Sequence, residues 1–272
     1  MTAMLTSVKS PRVTELRKLQ QRRHRVERGA FVVEGPQAIR EAVQSQVLRE
    51  LFVTTTSLAT HAGIIAQARV AGAPVVEVSE PVMAALCETE SPQGIVGVCD
   101  LITVSVDEVF ARAVKVTSPR VVILDRITDP GNAGTIIRTA AALGVQGIVL
   151  THGSVDPHNG KCVRASAGAI FHVPISADVE PASVYERMRI GNFLIATTDA
   201  DGSATLSSDA MVPAENLPLA WVFGNEAQGV DAWWHEHADY RIRIPMSGHV
   251  ESLNVASAAA ICMYASRVDS AQ

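Results

Sequence analysis

The chain has 272 residues, 47% hydrophobic and 19% charged, with a net charge of −5. That length supports one large domain or two ordinary ones, each with its own core, and the composition excludes a disordered chain. No apolar run approaches the roughly 18 residues a membrane helix needs, and the start MTAMLTSVKSPRV lacks the apolar stretch of a secretory leader, so a cytoplasmic protein is expected. In chain order, residues 14–28 have helical composition without breakers, and Gly29 stops them. Residues 31–33 read as a short strand, 34–36 as a turn and 37–45 as a helix. Strands follow at 51–54, 75–78 and 95–99, separated by an alanine-rich helix at 64–71 and a short one at 82–87. This alternation describes a small α/β domain over residues 1–104.

Residues 105–119 read as a linker, within which 106–114 can form a short helix. From residue 120 the pattern strengthens. A buried-type strand at 121–124, a loop at 129–134, a helix at 136–143 ended by Gly144 and a strand at 146–150 form a compact strand–helix–strand unit. Such a unit favours a parallel sheet, and residues 120–272 are expected to form the second domain around it. Helices are expected at 163–169 and 184–189, strands at 193–197, 219–223 and 240–244, and a closing helix with Ser252 as its N-cap.

Charge is uneven along the chain. Lys9, Arg12, Arg17, Lys18, Arg22, Arg23, Arg25 and Arg28 face only Glu15 and Glu27 within twenty residues, which makes an electrostatic footprint for a polyanion in an acidic chain. The alternative is an ordinary solvated helix face. Cys87, Cys99, Cys162 and Cys262 are far apart and read as reduced thiols. His235 and His237 stand two apart, so on a helix they point in different directions; no metal site is expected.

Three polar clusters follow strands, where open parallel sheets place their ligands. DPGNAGTIIRTAAALG, residues 129–144, combines Gly131 and Gly134 with Asn132 and the planar guanidinium of Arg138, which suits a phosphate. Its GNAG is shorter than the GxGxxG of dinucleotide sites, which weighs against a nicotinamide enzyme. VFGNEAQGV, residues 222–230, offers two turn glycines with Asn225 and Glu226. IPMSGHVESLNVASAAAICMYA, residues 244–265, brings Ser252, Leu253 and Asn254 to the start of a helix whose small residues 256–260 permit close packing.

Together, DPGNAGTIIRTA, FGNEAQG and IPMSGHVESLNVASAAAI resemble the three signature motifs of the SpoU–TrmH family of SPOUT RNA methyltransferases, in the expected order. KCVRASAGAIFHVPI is also similar to that family, and FVVEGPQAIREA resembles the ribosomal-protein-like α/β domain that binds RNA substrate ahead of it. The layout is like that of the thiostrepton-resistance branch. The resemblance implies a C-terminal α/β fold with a deep trefoil knot, a homodimer built through that domain, S-adenosylmethionine as cofactor, and methylation of a ribose 2′-hydroxyl in ribosomal RNA, with transfer RNA as the alternative substrate. It makes Asn132, Arg138, Glu226, Ser252 and Asn254 the catalytic candidates. Thr197, Thr198, Gly224, Ile244 and Leu253 become the cofactor candidates, and Arg164 joins Arg12, Arg17, Lys18, Arg22, Arg23 and Arg25 as RNA contacts. The competing reading is a catalytically silent RNA-binding or ribosome-assembly factor on the same scaffold. A guanidinium with a pKa above about 12 is a poor proton acceptor, so an RNA phosphate or Glu226 is the expected acceptor, with Arg138 clamping the backbone.

Overall fold

The computed structural model describes residues 4–206, 217–248 and 252–267. It divides into two compact units, one of residues 1–102 with 158–171, the other of residues 103–157 with 172–272.

The first unit holds a four-stranded sheet of β1 (Ala30–Glu34), β2 (Leu48–Thr54), β3 (Val75–Val78) and β4 (Ile95–Asp100), in the order β1-β4-β2-β3. β4 runs antiparallel to both neighbours, while β2 and β3 are parallel. The basic segment begins earlier than its composition suggests. Ser10 caps α1 (Pro11–Arg17), a 3-10 turn at Lys18–Gln20 interrupts it, and α2 (Arg22–Arg28) resumes until Gly29 turns left-handed at φ 60°. Arg25 accounts for the break: its Nη1 donates to the carbonyls of Leu19 at 3.0 Å and Gln20 at 2.8 Å, capping the interrupted end from inside. Val13, Leu16 and Leu19 of this segment share a core with Phe52, Val76, Val78, Val96 and Val98 from the sheet. Val82, Met83 and Leu86 of α5 (Glu80–Leu86) complete it.

Two more helices belong to this unit, α3 (Pro36–Gln44) and α4 (Ala62–Val70). Proline at its first position and apolar Ala38, Ile39, Ala42 and Val43 on one face explain α3. The segment 158–171 contributes α8 (Gly160–Ser166), which starts three residues before its expected position and ends where Ala167 turns left-handed at φ 50°.

The second unit is built on seven strands: β5 (Arg120–Leu124), β6 (Gly147–Thr151), β7 (Ile175–Val179), β8 (Leu194–Thr198), β9 (Ala204–Thr205), β10 (Leu219–Phe223) and β11 (Tyr240–Arg243). Their order is β7-β6-β5-β10-β8-β11-β9, and every pairing among the described residues is parallel. The fold is thus mixed α/β with a large parallel sheet. β5, β6 and β10 are buried along their whole length, which is why they read as unbroken apolar runs. On one face lie α6 (Val106–Ala113), α9 (Pro181–Ile190) and α10 (Ala232–His237). Their Val109, Phe110, Val184, Met188 and Trp234 share a core with Ile123, Phe193, Ile195 and Val222. Residues 106–113, placed in a linker by sequence, are therefore part of this core: Val109 and Ala113 are completely buried.

Two further helices belong to the sheet, α7 (Pro130–Ala142) and α11 (Val255–Ala265), which pack against each other. Ala256 and Ala259 are buried in α11, consistent with a close approach of backbones. The C-terminal end of α11 is pinned: Ser266 accepts from Trp221 Nε1 at 2.8 Å through its hydroxyl and from Arg120 Nε at 2.7 Å through its carbonyl.

Candidate active site

The expected loop at 129–134 is in fact the opening of α7. Asp129 is its N-cap, its Oδ1 accepting from Asn132 N at 2.9 Å, and Pro130 sits at the first helical position. Asn132 is thereby fixed in the first turn. At α11 the cap is Asn254 in place of the expected Ser252: its Oδ1 accepts from Ala256 N at 2.9 Å and Ser257 N at 3.3 Å. With Oδ1 so occupied, the Asn254 amide nitrogen donates to Asn132 Oδ1 at 2.9 Å. Asn132 in turn donates from Nδ2 to Glu226 Oε1 at 3.1 Å. Three side chains, one from each polar cluster, thus form a single hydrogen-bonded chain spanning 122 residues of sequence.

Glu226 is committed at both oxygens. Oε1 also accepts from Asp129 N at 3.2 Å, and Oε2 accepts from Thr128 N at 3.3 Å and Thr128 Oγ1 at 3.2 Å. Partial burial pushes its pKa up, but the bonds from Asn132 and from the backbone amides outweigh that and hold it below the ordinary glutamate value. The loop carrying it is braced independently. Asn225 Nδ2 donates to the Arg126 carbonyl at 2.9 Å, and Arg126, in the left-handed region at φ 53°, pairs through Nη2 with Asp231 at 2.9 Å. Gly224 is required by this fold-back: a Cβ there would overlap the backbone of Gly229 and Val230. Arg138 is exposed on α7, and its side chain has no hydrogen bond or ion pair among the described residues. Ser252 and Leu253 are exposed as well. Residues 249–251 of the expected loop lie outside the described residues.

Four of the five cofactor candidates stand at the C-terminal ends of neighbouring parallel strands. Thr197 and Thr198 end β8, Gly224 follows β10 and Ile244 follows β11, and these three strands are neighbours in the sheet. Thr197 is fully buried between β10 and β11 and its hydroxyl is taken, 3.1 Å from His235 Nδ1 and 3.4 Å from the Tyr240 carbonyl, so the structure places it inside the sheet, while Thr198 at the strand end is half-buried. Beyond it the structure adds a group the motifs did not indicate. Asp199 Oδ2 receives Arg241 Nε at 3.0 Å and lies 3.9 Å from His235 Nε2. Burial raises the Asp199 pKa, but Arg241 and the Asp201 amide lower it further than that, while burial depresses His235 below the usual histidine value. The signal available in the sequence was Asp199 two residues after the expected strand 193–197. Thr128, Asp129, Arg126 and Asp231 were likewise missed, because their partners are set by folding.

The RNA candidates fare differently. Arg17 and Arg22 are exposed. Arg12 pairs with Glu50, Lys18 with Glu15 at 2.6 Å, and Arg23 with Glu27 at 2.7 Å. Arg25, at 3% exposure, cannot face a polyanion; it is a structural cap. Arg164 does not point free either: its Nη1 donates at 3.0 Å both to Glu34 and to Glu88.

Fold and site define an α/β enzyme whose polar chemistry collects around the starts of two packed helices, beside a parallel sheet. The model of the SpoU rRNA Methylase family matches residues 119–264, and that of the MRM3-like substrate binding domain matches residues 10–97. The 23S rRNA (guanosine(2553)-2′-O)-methyltransferase RlmP of Bacillus subtilis is 33% identical over 96% of this chain and 97% of its own. The AdoMet-bound rRNA methyltransferase of Sinorhizobium meliloti superposes with a TM-score of 0.85 at 28% identity, covering 97% of both chains. The SpoU methyltransferase AviRb of Streptomyces viridochromogenes, in complex with AdoMet, gives 0.82 at 26% identity over 94% of this chain and 97% of its own. The chain belongs to the SpoU rRNA methylase family, and its activity is S-adenosylmethionine-dependent methylation of RNA at a ribose 2′-hydroxyl.

Proposed function

We propose that the substrate is 23S ribosomal RNA, methylated in the cytoplasm by a homodimer whose C-terminal segment forms a deep trefoil knot. The observation that carries the catalytic assignment is the chain Asn254–Asn132–Glu226, which gathers one residue from each motif into one polar cluster. The substrate follows from the likeness to the 23S rRNA methyltransferase, which runs over nearly the whole chain. Support for the dimer comes from α11, whose outer face leaves Ile261 41% and Tyr264 57% exposed. The knot rests on the family motifs at 222–230 and 244–265.

The cofactor fits the C-terminal side of the sheet. Its adenosine needs backbone donors and acceptors with apolar walls, and the residues that follow β8, β10 and β11 provide the first while the exposed Met246 and Leu253, with the half-buried Ile244, provide apolar surface. When bound, it supplies an electrophilic methyl group. The protein supplies alignment, which in favourable cases contributes roughly 7–11 kcal/mol to lowering a barrier. Arg138, an exposed guanidinium whose side chain has no partner among the described residues, holds an RNA phosphate and stabilises the oxygen as its charge develops. Glu226 orients Asn132, and through it Asn254, and is a poor proton acceptor because its donors favour the ionised form. The proton passes to an RNA phosphate oxygen. Ser252, exposed beside Asn254, completes the polar cluster. The N-terminal unit binds the RNA, with Arg17, Arg22 and Arg23 as exposed cations for phosphates.

The test is to map ribose methylation in RNA from cells with and without the protein. Labelled methyl transfer by purified protein to 23S transcripts accompanies it. A site lost from 23S RNA on deletion and restored in vitro supports the reading. Transfer confined to transfer RNA refutes the substrate, and transfer to no RNA refutes the enzyme.

A further inference from the structure

In the first unit, where β1 ends and α3 starts, a cavity of about 370 Å³ opens against the segment from Cys87 to Gln93 that leads into β4. Its volume is that of the smaller pockets that hold organic ligands. Gly35, Pro36 and Ile95 give it an apolar lining, and Gln37, Gln93 and Arg164 line it with polar groups. The N-cap of α3 is Gly35, which offers no side-chain acceptor to the first amides of the helix. Two carboxamides, each able to donate and accept, stand at exposed positions. Arg164 uses Nη1 for Glu34 and Glu88, and its Nε and Nη2 have no partner among the described residues.

The charges exclude an anion. Glu34, whose side chain is 8% exposed, and Glu88 together outnumber the one guanidinium between them. The nearby Cys87 thiol is pushed up to about 12, by burial first and by Glu34 second. Glu34 is saturated by Arg164 Nη1, the amides of Glu88 and Thr89 and the Thr89 hydroxyl, so a phosphate entering this cavity would meet a cluster already of net negative charge. A flat, neutral heteroaromatic ring would find apolar surface for its faces and carboxamides and amides for its edge. That is the way unpaired RNA bases are read, by contacts to their faces and their hydrogen-bonding edges.

We infer that this cavity is a subsite for one unpaired base of the RNA substrate, with the ribose-phosphate running outside it past the exposed cations of α1 and α2. The inference rests on the first unit being the RNA-binding unit. It gives Arg164, expected only as an RNA contact, a specific place as a wall of a base pocket, held by Glu34 and Glu88.

The experiment measures binding of two fluorescent probes to the full-length protein, a mixed-sequence single-stranded 12-nucleotide RNA and an abasic ribose-phosphate strand of equal length. The variants are Gln37→Ala with Gln93→Ala, which removes the edge contacts, and Gln93→Trp, which fills the cavity from an exposed position. A third variant, Arg22→Ala with Arg23→Ala, leaves the cavity intact. The wild type is expected to prefer the base-bearing strand by at least about tenfold, the scale of one recognised base. Both cavity variants should erase that preference without changing the salt dependence, and the arginine variant should lower the salt slope by about 0.7 for each lost phosphate contact while keeping it. No preference in the wild type, or a preference surviving both cavity variants, overturns the inference. If the arginine variant leaves affinity and salt slope unchanged, the assignment of RNA binding to this unit fails, a separate result from the first.

Discussion

Glu226→Gln is the most informative single substitution in the catalytic cluster. The wild-type carboxylate accepts from four donors, two at each oxygen: Asn132 Nδ2 and Asp129 N at Oε1, Thr128 N and Thr128 Oγ1 at Oε2. A glutamine has one acceptor oxygen, so in either orientation two donors face an NH₂ group. At this partly solvated site each lost bond costs about 1 kcal/mol, giving about 2 kcal/mol, or roughly 30-fold in turnover if all of it is lost from transition-state positioning. Single-turnover transfer of a labelled methyl group to 23S transcript measures the step, and calorimetry measures cofactor affinity. The expected result is kcat reduced about 30-fold with cofactor affinity changed less than about twofold. Turnover within about threefold of wild type would show that the carboxylate does not order Asn132 and Asn254, and a parallel loss of cofactor affinity would place it in the cofactor site instead. Because its pKa lies below the ordinary glutamate value, the wild-type rate should also show no acid limb from this group above about pH 5.

Arg138→Lys should lower kcat by about 100-fold while leaving cofactor affinity unchanged in calorimetry, since an ammonium cannot reproduce the bidentate fork. Ser266→Ala leaves Trp221 Nε1, at the end of a 2.8 Å bond in the core, without its acceptor, and urea unfolding should show a loss of about 1–3 kcal/mol; an unchanged midpoint counts against that anchor. His235 should titrate in NMR below the ordinary histidine value of about 6.5. Its folded pKa is depressed, so the unfolded chain takes the proton first, and stability falls as pH drops from about 6.5 towards the folded value; His235→Gln should remove that slope.

The centre of the second unit was legible because β5, β6 and β10 are buried on both faces, whereas β7 and β9, partly exposed at the two sides of the sheet, were not read as strands. Residues 121–124 and 219–223 are nearly continuous apolar runs, and they are β5 and β10. Helix starts were less so. The dipeptide Asp129–Pro130 is a cap followed by a first-position proline, a helix start that the neighbouring glycines disguised as a loop. Ser252 and Asn254 are both good caps by type; the helix starts at Val255, so Asn254 is the cap, and its amide nitrogen is left to reach Asn132. The basic segment could not be read from charge alone. Its arginines divide into exposed, paired and buried according to what Glu15, Glu27, Glu50 and the carbonyls of residues 19 and 20 provide, and removing the whole segment would take Val13, Leu16 and Leu19 out of the core. Substituting Arg22 and Arg23 is accordingly the cleaner test of phosphate contact.

Helix α11 joins these parts because it is fixed at both ends by different chemistry. At its C-terminal end Trp221 and the buried guanidinium of Arg120 hold Ser266; burial lowers the Arg120 pKa, and its Nη1 also satisfies the carbonyls of Ser118 and Leu217, each at 2.9 Å. At its N-terminal end Asn254 completes the cap and the bond to Asn132 with one side chain. The small residues between let it lie close to α7, so the distance between the two helix starts is set by packing before any ligand arrives. A strained geometry in the catalytic cluster would then need the helix to shift as a body, which its buried alanines, Cys262 and Met263 resist. The small-residue run and the polar cluster are thus two halves of one device: close packing fixes where Asn254 stands, and Glu226 fixes which way Asn132 meets it.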